Sequence, residues 1–316
     1  MTRAVVFAYS EVGYRCLGAL VNAGVDVTWV VTHRDDPQEL RWYRSVAELA
    51  ASCRLRVAEY ETLSAAECLR ALRGIAPDFL FSFYFRRMLA PALLATARSG
   101  ALNMHGSLLP SYRGRAPVNW AIANGESRTG ASLHYMVEKP DAGDLVDQEG
   151  VDIGVDDTAL DVSVKVAAAA EAVMRRSLPR LITGDAGRRP LDLARGSYCR
   201  ARTPADGEIN AGARAWDIHN LVRAVAPPFP GAYADLGKLR LQLLGSRWCN
   251  EPAAAPDSAP RLYCENGRFF LDCTDRRRLH ITSAAIDSEP LDAGTFNRRF
   301  GELVLPLPAQ LASAPT

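Results

Sequence analysis

The sequence is notable first for what it lacks. No stretch reaches the roughly eighteen consecutive apolar residues that a membrane-spanning helix needs, so no membrane partner is expected. Charge of neither sign dominates, with 37 Lys and Arg against 36 Asp and Glu. A protein whose main work is holding nucleic acid ordinarily carries a basic excess, so nucleic acid is not an expected partner either. The seven cysteines, at 16, 53, 68, 199, 249, 264 and 273, are odd in number and include no C-x-x-C pair. That pattern argues against a disulfide framework and a structural zinc site, and reduced thiols in a cytoplasmic protein are the expectation, with no metal. The first strand-to-helix turn reads Tyr9-Ser10-Glu11-Val12-Gly13 and contains no G-x-G-x-x-G. A dinucleotide cofactor needs close backbone approach at that turn, so the nicotinamide and flavin readings weaken, and no Walker A motif is present. The apolar run Ala4–Tyr9 is cut short by Ser10 and Glu11, too early for a secretory signal.

What is present is a strong alternation. Apolar, β-rich runs at Ala4–Tyr9, Val25–Thr32, Leu55–Glu59, Asp78–Phe85 and Gly100–His105 are separated by helix-like stretches near 11–23, 43–52, 65–75 and 90–98. Continuous apolar strands divided by helices predict an α/β fold: a Rossmann-like, mostly parallel sheet with helices on both faces. A long Ala-rich helix is expected from Thr158, capped by Asp157, burying Leu160, Val164, Ala167, Met174 and Leu178 and ended or kinked by Pro179. Glu171 falls on the same face with no reason evident in the sequence. Beyond about residue 200 the texture changes. One more helix is predicted at Ala215–Val225, then short strands at Ala232–Leu236, Leu239–Leu244, Arg261–Tyr263, Phe269–Cys273 and Leu279–Thr282, a pattern that suits a small barrel or sandwich. Glu251–Pro260 reads as a mobile loop. The expected organisation is a catalytic domain over 1–200, a small β domain over 201–305 and a disordered tail over 306–316.

The segment 101–144 concentrates the chemistry. Asn103 and His105 lie two apart at the end of a predicted strand, so both side chains face the same side of the sheet, at the strand end where ligands bind in open α/β sheets. Asp141 lies in a Pro140-Asp141-Ala142-Gly143 turn from which a carboxylate can fold back toward that end. An amide, an imidazole and a carboxylate suit acyl transfer to an amine. The amide N–H bonds a developing oxyanion, the imidazole carries protons and the carboxylate orients it. Each residue also has a plain structural reading. Asn103 can satisfy backbone, His105 can be a turn residue, and Asp beside Pro and Gly is most often an ordinary turn residue. Arg113 and Arg115 read as solvated, His33, His219 and His280 as structural, and His134 is undecided.

Asn103-Met104-His105-Gly106-Ser107-Leu108-Leu109-Pro110 resembles the N-x-H-x-S-L-L-P signature of the formyltransferase family that uses 10-formyltetrahydrofolate. Tyr112-Arg113-Gly114 and Asp141-Ala142-Gly143 match its following loop and distal aspartate. The resemblance covers residue 1 to roughly 300. It is nearest the branch that formylates UDP-4-amino-4-deoxy-L-arabinose for lipid A modification in polymyxin resistance, through Arg113-Gly114-Arg115-Ala116-Pro117, Asn119-Trp120 and the Phe229-Pro230-Gly231-Ala232 turn. It implies a Rossmann-like folate domain followed by a small, open, OB-like β-barrel. It also implies that Asn103 stabilises the transition state, His105 carries the proton and Asp141 raises the pKa of the histidine. By position, Arg87, Met88, Leu89, Arg115, Val137, Glu138, Lys139 and Pro140 would contact 10-formyltetrahydrofolate. The expected acceptor is an amino-sugar nucleotide. The alternatives are a methionyl-tRNA formyltransferase, an enzyme acting on another small amine, and, from a different class, an inactive folate-binding module.

Overall fold

The computed structural model describes residues 1–35, 40–255, 260–300 and 305–307. The chain divides into two compact units. One comprises Met1–Pro117, Arg128–Asp152 and Ser163–Ala201, and the other Val118–Ser127, Ile153–Val162 and the chain from Arg202 onward.

In the first unit, β1 (Arg3–Ala8), β2 (Asp26–Thr32), β3 (Val57–Glu59), β4 (Phe79–Phe83) and β5 (Gly100–His105) are parallel. They alternate with α1 (Ser10–Asn22), α2 (Val46–Ser52), α3 (Ala65–Ile75) and the short α4 (Pro91–Leu94). Val5, Phe7, Trp29, Val31 and Leu80 share one face of the sheet and pack on Cys68, Leu72, Leu89 and Leu93. Strands buried on both faces have no polar side to expose, which is why these runs are continuously apolar rather than alternating. β4 stops at Phe83, two residues earlier than expected, because Tyr84 turns into the left-handed region at φ 56°.

After β5 come β6 (Arg113–Gly114) and α5 (Pro117–Ala123), and then the sheet changes direction. β7 (Arg128–Tyr135) and β8 (Leu145–Asp152) add antiparallel strands, giving the order β3-β2-β1-β4-β5-β7-β8. The register sets Asn103 directly opposite His134 and His105 opposite Ser132. The β7–β8 pairing slips by one residue between Leu133 and His134, an irregularity of the kind that re-aims side chains beside active sites.

The long helix α6 (Ala159–Thr183) departs from expectation in three ways. Its cap is Thr158, whose hydroxyl accepts from the Asp161 N–H while the Asp161 carboxylate accepts from the Thr158 N–H, so Asp157 is not the cap. Of the two effects expected of Pro179, it does not end the helix, which runs on to Thr183; the proline lies inside it on the exposed side, where water can meet the carbonyl that loses its donor. Val164 is exposed and Leu160 half-buried, while Ala167, Met174 and Leu178 are buried as expected, in a stripe that also includes Val162, Val166, Ala170 and Val173. Glu171 accepts hydrogen bonds from Arg15 at 3.1 Å and Arg175 at 2.8 Å. β9 (Tyr198–Cys199) then pairs in parallel with β6.

The second unit holds α7 (Ala215–Ala224) and a curled antiparallel sheet. Its strands are β10 (Ala232–Leu236), β11 (Leu239–Pro252), β12 (Arg261–Glu265), β13 (Arg268–Asp272), β14 (Arg277–Ile286), β15 (Glu289–Pro290) and β16 (Leu305–Pro306). The main path is β10-β11-β14-β13-β12-β16, an open, curled half-barrel whose first strand is met on its outer side only by a single bridge between Tyr233 and Glu208 among the described residues. β11 and β14 are much longer than the apolar runs that announced them, because pairing with each other carries both strands past their apolar cores. Glu251 and Pro252, expected in a loop, therefore belong to β11; residues 256–259 of that loop and 308–316 of the expected tail lie outside the described residues. No helix among the described residues is long and apolar enough to cross a membrane.

Candidate active site

Four side chains meet at the end of β5. His105 Nδ1 lies 3.6 Å and His134 Nε2 3.4 Å from the same Asp141 oxygen, Oδ1, and Asn103 Nδ2 lies 3.3 Å from it. Asn103 Nδ2 is also 3.2 Å from His134 Nε2. Both histidines are buried, at 6% and 2% exposure, and so belong to a site shielded from water.

Partner chemistry fixes the protons. A carbonyl can only accept, so His105 Nε2 donates to the Tyr112 oxygen at 2.8 Å, and the lone pair of the neutral ring is at Nδ1, facing Asp141. In the same way His134 Nδ1 donates to the Tyr135 oxygen at 2.8 Å, leaving Nε2 to accept from Asn103. Both Asn103 N–H groups are thus engaged, one by His134 and one by Asp141. A flipped amide would set its oxygen against a lone pair and a carboxylate. Both bonds are long, so an incoming acceptor can take one of these donors with little loss.

Burial pushes the Asp141 carboxyl up, but the positive charge that His105 and His134 carry when protonated, together with the Gly114 N–H, outweighs it and holds the carboxyl well below its ordinary range. For His105 burial is the largest influence and wins, so its pKa is lowered despite the raising effects of Asp141 and the Tyr112 carbonyl. Asp141 acts in the expected, raising direction, but at 3.6 Å the carboxylate is too far for a direct hydrogen bond and does not offset full desolvation, so the net shift is downward.

The loop after β5 is held from two sides. The Ser132 hydroxyl donates to the Ser107 oxygen and accepts from the Leu109 N–H. The 197–199 strand receives the Arg113 and Arg115 N–H groups on the Ser197 and Cys199 carbonyls, and the Ser197 hydroxyl accepts from the Tyr112 N–H. The loop in turn presents the Tyr112 carbonyl to His105 and the Gly114 N–H to Asp141 Oδ2 at 2.9 Å. Gly114 has φ 98°, and a Cβ there would lie 2.2 Å from the Cys199 oxygen, so glycine is required. Asp141 itself has φ 49°, a strained conformation that the surrounding bonds hold in place.

Arg113, expected to be solvated, is only 7% exposed, and its Nε and Nη1 have no hydrogen-bond partner among the described residues. The Ser107 hydroxyl donates to the Ser111 carbonyl. His33 and His219 serve the scaffold. His33 Nδ1 meets Glu61 and its Nε2 accepts from the Arg86 N–H; His219 donates to the Val155 carbonyl and accepts from Ser246. Among the described residues no group of His, Cys, Asp and Glu could hold a metal.

Beside the 137–141 loop opens a cavity of about 300 Å³ lined by Leu94, Ala101, Tyr135, Met136, Val137 and Asp144 among others. Of the positions expected to contact a folate, Val137 lines this cavity, while Arg87, Met88, Arg115, Glu138 and Lys139 are exposed and Pro140 is half-buried. Leu89 packs into the apolar core.

Residues 6–178, more than half of the chain, match the formyl transferase family model, and 202–301 match that of the formyl transferase C-terminal domain. The chain belongs to the formyl transferase family. It is a transferase. Among solved structures the formyl transferase is similar to the N-formyltransferase of Helicobacter canadensis, in complex with folinic acid and dTDP-3-aminofucose, at 20% identity and TM-score 0.71, over 89% of this chain and 99% of that one. It is also similar to WlaRD, a sugar 3N-formyl transferase seen with dTDP and 5-N-formyl-THF, at 17% identity and TM-score 0.67, over 89% and 97%. A 4-N formyltransferase from Francisella tularensis matches at 19% identity and TM-score 0.59, over 73% and 91%. At these identities the likeness speaks for the fold of this formyl transferase.

His134 is the member of the site that sequence reasoning left undecided. The signal was there in Ser132-Leu133-His134-Tyr135: period two in a strand puts Ser132 and His134 on one side, and both serve the site. The 197–199 brace carried no sequence signal, since two-residue strands have no periodicity.

Proposed function

We propose that this formyl transferase moves a formyl group from 10-formyltetrahydrofolate to the primary amine of an amino-sugar nucleotide, with UDP-4-amino-4-deoxy-L-arabinose as the first candidate acceptor. The observation that carries the reading is the meeting of Asn103, His105 and Asp141, with the neighbouring Ser107 hydroxyl tied to the Ser111 carbonyl rather than freed as a nucleophile, which suits direct attack by an amine. The folate supplies the formyl carbon. The cavity beside Asp141 suits a flat bicyclic ring, being apolar along Leu94, Ala101 and Val137, and Met88 at 64% exposure offers a further apolar contact. His105 takes the amine proton on Nδ1, beside the Asp141 carboxylate that stabilises the imidazolium so formed, and returns it to N10 of the folate as the formyl C–N10 bond breaks and tetrahydrofolate leaves. Asn103 turns one N–H toward the formyl oxygen as charge develops there. Asp141, fixed by the Gly114 N–H, holds both in register.

The amino-sugar reading rests on the sequence resemblance and on the near-neutral charge, 37 basic against 36 acidic residues, which offers no excess for the several phosphates of a transfer RNA. Two similar structures contain thymidine nucleotides, which favours a thymidine-linked amino sugar as the second acceptor to try. The test is competition. The protein is incubated with 10-formyltetrahydrofolate and an equimolar mixture of the UDP-linked sugar, a thymidine-linked amino sugar and charged initiator tRNA, and the product gaining one formyl mass is identified. Formylation of the UDP sugar supports the reading. Preference for the thymidine sugar moves the enzyme to a neighbouring branch, and preference for the tRNA overturns the acceptor class.

A further inference from the structure

The cavity beside the 137–141 loop carries two charged side chains that do nothing evident for the fold. Arg188 lines it from the segment after α6. Its guanidinium lies 3.7 Å from the centroid of the Tyr135 ring and has no hydrogen-bond or ion-pair partner among the described residues. Asp144 lines the same cavity, and its carboxylate likewise has no partner there. The two do not pair with each other, although their chain neighbours are joined: Leu145 and Arg189 exchange backbone hydrogen bonds of 2.8 and 2.9 Å. Their backbones are thus tied together at the cavity wall while both charges stay open. Tyr135, the ring under Arg188, is itself pressed against Gly100, where a Cβ would lie 2.8 Å away. Leu94, Ala101, Val137 and Ala142 add apolar surface to the wall.

An apolar slot with one acceptor and one forked donor suits a flat heteroaromatic ring whose edge carries N–H groups beside a carbonyl. The 2-amino-4-oxo edge of a pterin is such an edge. We propose that Arg188 and Asp144 are specificity residues for the formyl donor. Arg188 donates to the 4-oxo oxygen, and Asp144 accepts from the ring N–H and the 2-amino group. The inference rests on the folate reading above and adds the residues that recognise the ring. Because Arg188 is exposed and its neighbour is tied through backbone alone, replacing it leaves the fold intact.

The experiment compares folic acid with its 4-amino analogue, which has a donor where folic acid has an acceptor. Binding of each to the wild type, Arg188→Gln and Asp144→Asn is followed by calorimetry, with donor KM and kcat measured in parallel. A hydrogen bond to a charged group predicts that Arg188→Gln weakens folic acid about ten- to hundredfold and the 4-amino analogue far less. Asp144→Asn weakens both, since both carry the 2-amino group. Donor KM rises in both variants, while kcat at saturation and acceptor KM stay near wild type. Equal losses for the two ligands in Arg188→Gln, or folic acid binding within about threefold of wild type, overturn the assignment and leave the folate reading standing. A wild-type protein that binds neither ligand and turns over no folate donor removes the folate reading, and this inference with it.

Discussion

Two histidines approach one oxygen of Asp141, and replacing His134 with phenylalanine separates their roles. The substitution removes the Nε2 acceptor that lies 3.2 Å from Asn103 Nδ2 and the Nδ1 donor that lies 2.8 Å from the Tyr135 carbonyl. Asn103 keeps its bond to Asp141 at 3.3 Å and loses one of two restraints. A neutral hydrogen bond contributes about 0.5–1.5 kcal/mol net, and about 1.4 kcal/mol is a factor of ten in rate. Poorer placement of Asn103 is therefore expected to lower kcat by roughly three- to tenfold. His105→Ala, which removes the proposed proton carrier, is expected to cost about 10²–10⁴-fold. Stability should follow the opposite order of emphasis. His134→Phe leaves a Tyr135 carbonyl without its donor, at about 1–3 kcal/mol, or a fall in unfolding midpoint of ~2–4 °C per kcal/mol. The assay is steady-state kinetics on both variants, with circular dichroism and a thermal scan to certify folding. If folded His134→Phe loses as much kcat as His105→Ala, the proton carrier is His134 and the roles are reversed. If it changes neither rate nor midpoint, the contacts to Asn103 and Tyr135 do no positioning.

Asn103→Ala is expected to lower kcat about 10²–10³-fold with little change in KM, as loss of an oxyanion donor does; a rise in KM alone would make Asn103 a binding residue. Burial lowers the His105 pKa below its ordinary 6.5, so the ring is neutral and able to accept a proton at pH 7, and the acid limb it contributes lies below that value. Asp141→Asn removes a raising influence, so that limb should move further down in pH; nuclear magnetic resonance titration of the His105 ring reads this directly, and an upward shift contradicts the electrostatics. Gly114→Ala drives a Cβ to 2.2 Å from the Cys199 oxygen and displaces the N–H that holds Asp141, so both unfolding midpoint and kcat should fall, and an unchanged kcat means the Gly114–Asp141 bond is dispensable. Arg113 has a buried guanidinium with two unpartnered nitrogens, so Arg113→Met should leave the thermal midpoint unchanged or raise it; a fall equivalent to more than about 2 kcal/mol would reveal a partner that engages only in solution.

The sequence by itself determined the layered part of the fold. Strands such as Ala4–Ala8 must be buried on both faces because they carry no polar alternation, and the helix signals between them leave a parallel sheet as the arrangement that buries them. It also determined that Asn103 and His105 share one side, since period two is a property of any strand. What it left open depends on partners distant along the chain. Pairing with β14 extends β11 from Leu239 to Pro252, and no local propensity in that stretch encodes such a length. The antiparallel register of β5 and β7 is what sets His134 opposite Asn103, across thirty-one residues of sequence. The brace at 197–199 reaches the loop after β5 across eighty-five residues and acts mainly through backbone groups, which every residue has and which leave no mark on residue type, with the Ser197 hydroxyl adding a side-chain hydrogen bond there. The lowered His105 pKa is of the same kind. The aspartate is legible in the sequence, but the desolvation that outweighs it exists only once the chain has closed around the ring.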